Sequence, residues 1–144
     1  MITQTEIARG KRIRRAVVGA KYDTELQDAE SDFSQPLRDY TTANLWGNVW
    51  ADKTIPLKYR SLLNVALTTA FRCSHEMRVH IRGARNNGAS KEEIRAVLMQ
   101  VMMYCGILPV REAVRCANQV FAEENAAKAS KPAKPARARK SKKR

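Results

Sequence analysis

Cysteine, unbroken apolar runs and alternating β-branched residues are all scarce in this 144-residue chain, and each scarcity removes a class of protein. The three cysteines, Cys73, Cys105 and Cys116, form an odd set with neither a CxxC pair nor a zinc-type spacing. Neither a disulfide scaffold nor a metal site is expected, and a reducing compartment would leave the thiols free. The most apolar stretch, 97–110, is interrupted by Gln100 and Gly106 and ended by Pro109, too short to cross a bilayer. No membrane span is expected. The first fifteen residues are charged and lack an apolar signal region, which points to the cytoplasm. No alternating β-branched run bounded by turns occurs, so the fold class is all-α.

Acid is missing from one end. Of the 27 Lys and Arg residues, nine lie in 128–144 with no Asp or Glu, leaving 18 basic against 14 acidic residues in 1–127. The net charge of +13 and the pI near 10.2 therefore describe mainly a tail. A body this close to charge balance does not by itself present a basic binding face. The division expected is a helical domain over 1–125 and a disordered Lys/Arg/Pro/Ala tail over 126–144. The tail suits weak, salt-dependent, non-specific polyanion contact, and it has no interleaved aromatics for base stacking.

What is present is helical punctuation around one domain's worth of apolar residues, 44% of the chain. Thr3 and Glu6 have capping-box spacing and open a helix that stops at Gly19. A helical turn is expected within 23–32. Ser34 then caps a segment with Pro36 in its first turn and Leu37, Tyr40 and Leu45 inward. Pro56 starts a segment over 57–71 that is apolar on more than one face, which places the core there. A helix over 74–87 ends at Asn-Asn-Gly, a second capping box, Ser90 and Glu93, opens 91–105, and Gly106 closes it. Pro109 starts the last helix, whose apolar pattern fades beyond Glu124. The sum is a bundle of six or seven helices.

His75, Glu76 and His80 resemble a zinc-protease helix only superficially. That motif needs histidines four apart, whereas these are five apart and diverge by about 140°. Cys73, Glu76 and His80, at i, i+3 and i+7, do share one stripe. A Glu one turn before a His can fix its tautomer and favour its protonated form, preparing a general acid, or it can be an ordinary surface ion pair. Trp46 and Trp50, also one turn apart, suit either core packing or a small-ligand pocket. Arg60, at the start of the central helix, suits a structural ion pair or a substrate carboxylate.

Taken together, Arg60-Ser61-Leu62-Leu63, Glu76-Met77-Arg78-Val79-His80-Ile81-Arg82, Asn86-Asn87-Gly88, Glu92-Glu93-Ile94 and Tyr104-Cys105-Gly106 resemble the carboxymuconolactone decarboxylase family. Upstream, Arg9-Gly10, Val18-Gly19, Phe33 and Trp46-Gly47-Asn48-Val49-Trp50 are more similar to its decarboxylase branch than to its alkylhydroperoxidase-like relatives. The likeness runs in order over residues 6–122 and stops before the tail. It implies an alkylhydroperoxidase D-like helical subunit, a homo-oligomer (trimer or hexamer) with sites near subunit contacts, and no cofactor. By position, Glu76 stands where the peroxidase branch carries its second cysteine and Ser61 where it carries a glutamate. A dithiol cannot form there, which argues against disulfide-linked peroxide reduction.

The resemblance implies decarboxylation of a carboxylated unsaturated lactone, of the 4-carboxymuconolactone type, in aromatic-acid (protocatechuate) breakdown. His80 would be acid or oxyanion donor, Glu76 its orienting partner and Arg60 the carboxylate anchor, with Trp46 and Trp50 walling the pocket. Tyr22 replaces the histidine usual after the Val-Gly turn, Cys73 is a thiol typical of the other branch, and Pro109 is displaced by one position with Arg111 and Glu112 in place of small residues. If Tyr22, Cys73 and Arg111 line the pocket, they would reshape it for another lactone or keto acid. A thiol-dependent peroxidase and a non-catalytic oligomer binding polyanions through its tail are the alternatives.

Overall fold

The computed structural model of the chain describes residues 2–20, 22–24 and 31–130, and every regular element among them is helical. Helix α1 spans Gln4–Val18 and α2 spans Gln35–Thr41, running on into a π-helical segment, Thr42–Val49. Then follow α3 (Leu57–Ala70), α4 (Ser74–Asn86), α5 (Lys91–Cys105) and α6 (Ile107–Ala129).

Local chemistry sets most of these boundaries. Both capping boxes form: Thr3 with Glu6, and Ser90 with Glu93, each satisfying two otherwise orphaned N–H groups. Gly106, at φ 83°, takes the left-handed geometry that stops α5. The last helix starts at Ile107, with Pro109 inside the first turn where no helical N–H bond is lost. It continues to Ala129, past the point where its apolar pattern fades. Residues 22–24 are helical, while 25–30 and the tail from 131 lie outside the described residues.

Two expectations fail by rotation. Ser34 does not cap α2, because its hydroxyl donates back to the Ser31 carbonyl at 3.1 Å. Leu37, Tyr40 and Leu45 face outward rather than inward. The wider i→i+5 turn of the π segment, marked by Trp50 N–H to Leu45 C=O at 2.9 Å, breaks the 3.6-residue extrapolation at Leu45. Thr42, Ala43, Trp46 and Gly47 are the residues buried instead. In α3, Ser61, Val65 and Thr69 form the buried stripe, while Leu63 and Leu67 are about half exposed. The second apolar face of that helix is uncovered.

The main core lies among α3, α4, α5 and α6, around Val65, Met77, Ile81, Ile94, Leu98, Ala113 and Val120. Each full burial of a residue the size of Ile or Met contributes about 2 kcal/mol relative to exposure. A smaller cluster of Val17, Val18, Trp46, Trp50 and Val79 joins α1, the π segment and α4. Gly10 makes that junction possible, since a Cβ there would overlap the Thr42 carbonyl of the π segment. Next to it, Arg14 and Asp23 form a buried ion pair at 2.6 Å, and Arg14 also donates to the Thr42 hydroxyl at 3.3 Å. No described helix is long and apolar enough to cross a membrane.

Candidate active site

Helix α4 carries most of the chemistry, and it carries it on two faces. Its entry is tight: Arg72 sits at φ 58°, a left-handed backbone that costs a non-glycine residue about 1 kcal/mol. Cys73 is the N-cap, and Met77, Ile81 and Ala84 turn into the main core. On one flank His80 lies flat against Trp50, ring centroids 6.2 Å apart and planes 3° from parallel. Trp46 stacks on the other side of Trp50 at 5.0 Å. The π segment produces this stack, because its wide turn carries residues four apart nearly over one another.

This packing decides the charge of His80. Loss of water pushes its pKa down to about 4, and the Glu76 carboxylate pulls it up only partly. The expected Glu76-supported imidazolium is therefore not what forms: the ring is neutral at pH 7. Glu76 is exposed, and no hydrogen bond joins it to His80 among the described residues. The His80 Nδ1 is buried without a partner among the described residues.

The opposite flank is polar. Tyr22 Oη and His75 Nε2 are hydrogen-bonded at 2.7 Å, and the Arg82 guanidinium lies over the Tyr22 ring, 5.0 Å from its centre. Arg78 donates to Glu123 at 3.2 Å and Arg82 bonds the same carboxylate. Both arginines hold Glu123 below the usual carboxylate range, Arg82 more strongly. At about 100° per residue, Arg78 and Arg82 point about 160° away from His80.

The residues expected to share one pocket are thus divided. Trp46, Trp50 and His80 come together, and Glu76 borders them. Tyr22 packs against the edge of the cluster that holds Trp46 and Trp50, but its hydroxyl bonds His75 on the other flank. Arg60 turns to Asp52, bonding its carbonyl at 3.2 Å and its carboxylate at 3.4 Å, while its Nε is buried with no partner among the described residues. The Cys73 thiol donates to the Phe71 carbonyl at 3.6 Å. The two tryptophans are 8% and 3% exposed, which makes them core members that shield His80 rather than walls of an open pocket. Arg111 is exposed on α6.

The model of the carboxymuconolactone decarboxylase family matches residues 35–119, more than half of the chain, from the start of α2 well into α6. The chain belongs to the carboxymuconolactone decarboxylase family. A 4-carboxymuconolactone decarboxylase from Acinetobacter baylyi is 29% identical over 79% of this chain and 85% of its own. A nitrosuccinic acid decarboxylase from Metarhizium robertsii is 32% identical over 73% of each chain.

In this family member the matched span holds His80, Glu76 and both arginines, but not Tyr22. Sequence reasoning passed over His75, Arg78 and Arg82 as a group. The signal was there: 75, 78 and 82 have the same i, i+3, i+7 spacing as 73, 76 and 80, displaced by two residues. What the spacing does not reveal is that Tyr22, 53 positions before His75, closes the group.

Proposed function

We propose that the chain is a carboxy-lyase that decarboxylates a carboxylated unsaturated lactone of the 4-carboxymuconolactone type, in aromatic-acid breakdown. Membership of the family and two relatives named as decarboxylases support the reaction class. One observation carries the assignment to this site: a neutral, shielded His80, held rigid against Trp50, with an Nδ1 that has no partner among the described residues.

Loss of CO2 breaks a carbon–carbon bond whose electron pair passes through the ring double bond onto the lactone carbonyl oxygen. No cofactor is needed to hold that charge if a fixed donor meets it. A neutral imidazole N–H in a water-poor site fits the task, since its dipole is already oriented when the charge develops. Glu76, one turn away and open to solvent, offers the route for the proton that carbon then takes up. Incubation with carboxymuconolactone should release CO2, and His80→Ala should lower kcat by about 10²–10³-fold, the scale of one lost oxyanion donor. An unchanged kcat would refute the role of His80.

We also propose that copies associate through the uncovered face of α3 and α5, bringing a neighbour close to α4, and that the enzyme works in the cytoplasm. Leu63, Leu67, Phe71, Met103 and Tyr104 leave more apolar surface open than isolated exposure explains. Light scattering of the protein and of Leu67→Glu tests this, a monomeric parent being the contrary result. The tail is proposed to contact polyanions weakly. Truncation after Ser130 should remove retention on heparin, and equal retention argues against it.

A further inference from the structure

The polar flank of α4 opens into a cleft of about 580 Å³ between the end of α1, α4 and the last turns of α6. That volume is in the range of small-molecule sites. Its walls are of two kinds: Val18, Val120, Ala127 and the Tyr22 ring are apolar, while Arg78 and Arg82 bring guanidinium groups.

The charges on these walls do not cancel. Glu124 is taken by Arg85, whose Nε lies 2.9 Å and 3.2 Å from its two oxygens, with Nη2 adding a third contact at 3.2 Å. That pair is neutral. Arg78 and Arg82, by contrast, share the single carboxylate of Glu123, which leaves one positive charge over among the described residues. Arg78 Nε and Arg82 Nη1 are shielded from solvent and have no hydrogen-bond partner among the described residues. An entering anion therefore meets the two guanidiniums through their surplus charge and their exposed edges rather than through these shielded atoms. Arg82 is meanwhile held in place by the Tyr22 ring beneath it, and Tyr22 by its bond to His75. A fork fixed in this way has little freedom left to lose on binding.

We propose that this cleft is a binding site for a small organic carboxylate, held by Arg78 and Arg82 and separate from the His80 face. Two guanidiniums that share one carboxylate match the paired oxygens of a second. The apolar wall selects for carbon attached to it, which an inorganic anion lacks. The site does not depend on the reaction at His80, because the body of the helix stands between the two.

Succinate titrated into the full-length protein, followed by calorimetry and by amide NMR shifts, tests the site without any turnover. Saturable shifts should centre on Gly19, Tyr22, Arg82 and Asn86 and leave the Trp46 and Trp50 indole signals in place. Arg82→Met should weaken binding about tenfold or more, Arg82→Lys less, with far-UV circular dichroism confirming that each variant folds. Because the shift map uses the unaltered chain, it remains decisive even if a variant unfolds. The proposal is overturned if shifts centre on His80, if no saturation is reached, if folded Arg82→Met binds like the parent, or if sulfate competes as well as succinate.

Discussion

The two flanks of α4 deal with ionisable groups in opposite ways. On the His80 flank the ring lies against Trp50, burial outweighs the pull of the exposed Glu76, and the imidazole stays neutral. On the arginine flank it keeps charge and pairs it, with two guanidiniums around Glu123 at the edge of solvent. The contrast is set by what packs against each flank rather than by the helix itself. Neutral and dry suits a donor that meets developing charge, while charged and half-open suits recognition of an anion.

The strongest way to break this contrast is to remove the cover. Trp50→Ala should cost about 3–5 kcal/mol in urea unfolding, as large buried aromatics do. It should also bring the His80 pKa back toward 6.5, read by proton NMR titration, because burial is the main cause of its depression. A pKa that stays near 4 after the ring is gone would show that Trp50 is not what keeps His80 dry.

Next in size is the pH response. With its folded pKa lowered from 6.5 to about 4, His80 binds a proton more readily in the unfolded chain. Stability is therefore full above the unfolded value and falls as pH drops from 6.5 toward 4, by about 2 kcal/mol between pH 7 and pH 5. His80→Gln should flatten that slope. Equal slopes for parent and variant would assign the titration to another group. The carboxylates lowered by their partners, Glu123 among them, contribute on the acid side of this window, as pH falls through their own depressed values.

The smallest effect belongs to the arginine flank. Arg78 and Glu123 are each nearly half exposed, so Glu123→Gln should cost about 1 kcal/mol at low salt and less at high salt. A loss as large as that of Trp50→Ala would mean that the two flanks are equally buried, and the contrast would fail.

Much of the fold was legible because it is written in short range. Capping boxes act over three residues and Gly106 over its own dihedral, so the helix expected over 91–105 is found at Lys91–Cys105, and the one expected over 74–87 at Ser74–Asn86. The stripe Cys73, Glu76, His80 was also legible, as was the proximity of Trp46 to Trp50. The charge of His80 was not. A Glu four positions before a His predicts a raised pKa, and only the desolvation that Trp50 helps to impose reverses the sign. The outward orientation of Leu37 and Tyr40 is set in α2, before the π segment begins, and only that of Leu45 at the π segment itself, whose wider turn leaves no local signature strong enough to read.

The sequence by itself determined that the described residues fold as helices, that the basic excess is concentrated at one end, and where most of the helices start and stop, because capping and glycine stops depend on hydrogen bonds and dihedrals within a turn or two. The tertiary structure alone decided which face is dry, that Arg60 answers to Asp52, and that Tyr22, bonded to His75, meets Arg82 at the cleft. Burial and ion pairing are sums over neighbours brought from distant parts of the chain, and no window along the sequence contains that sum.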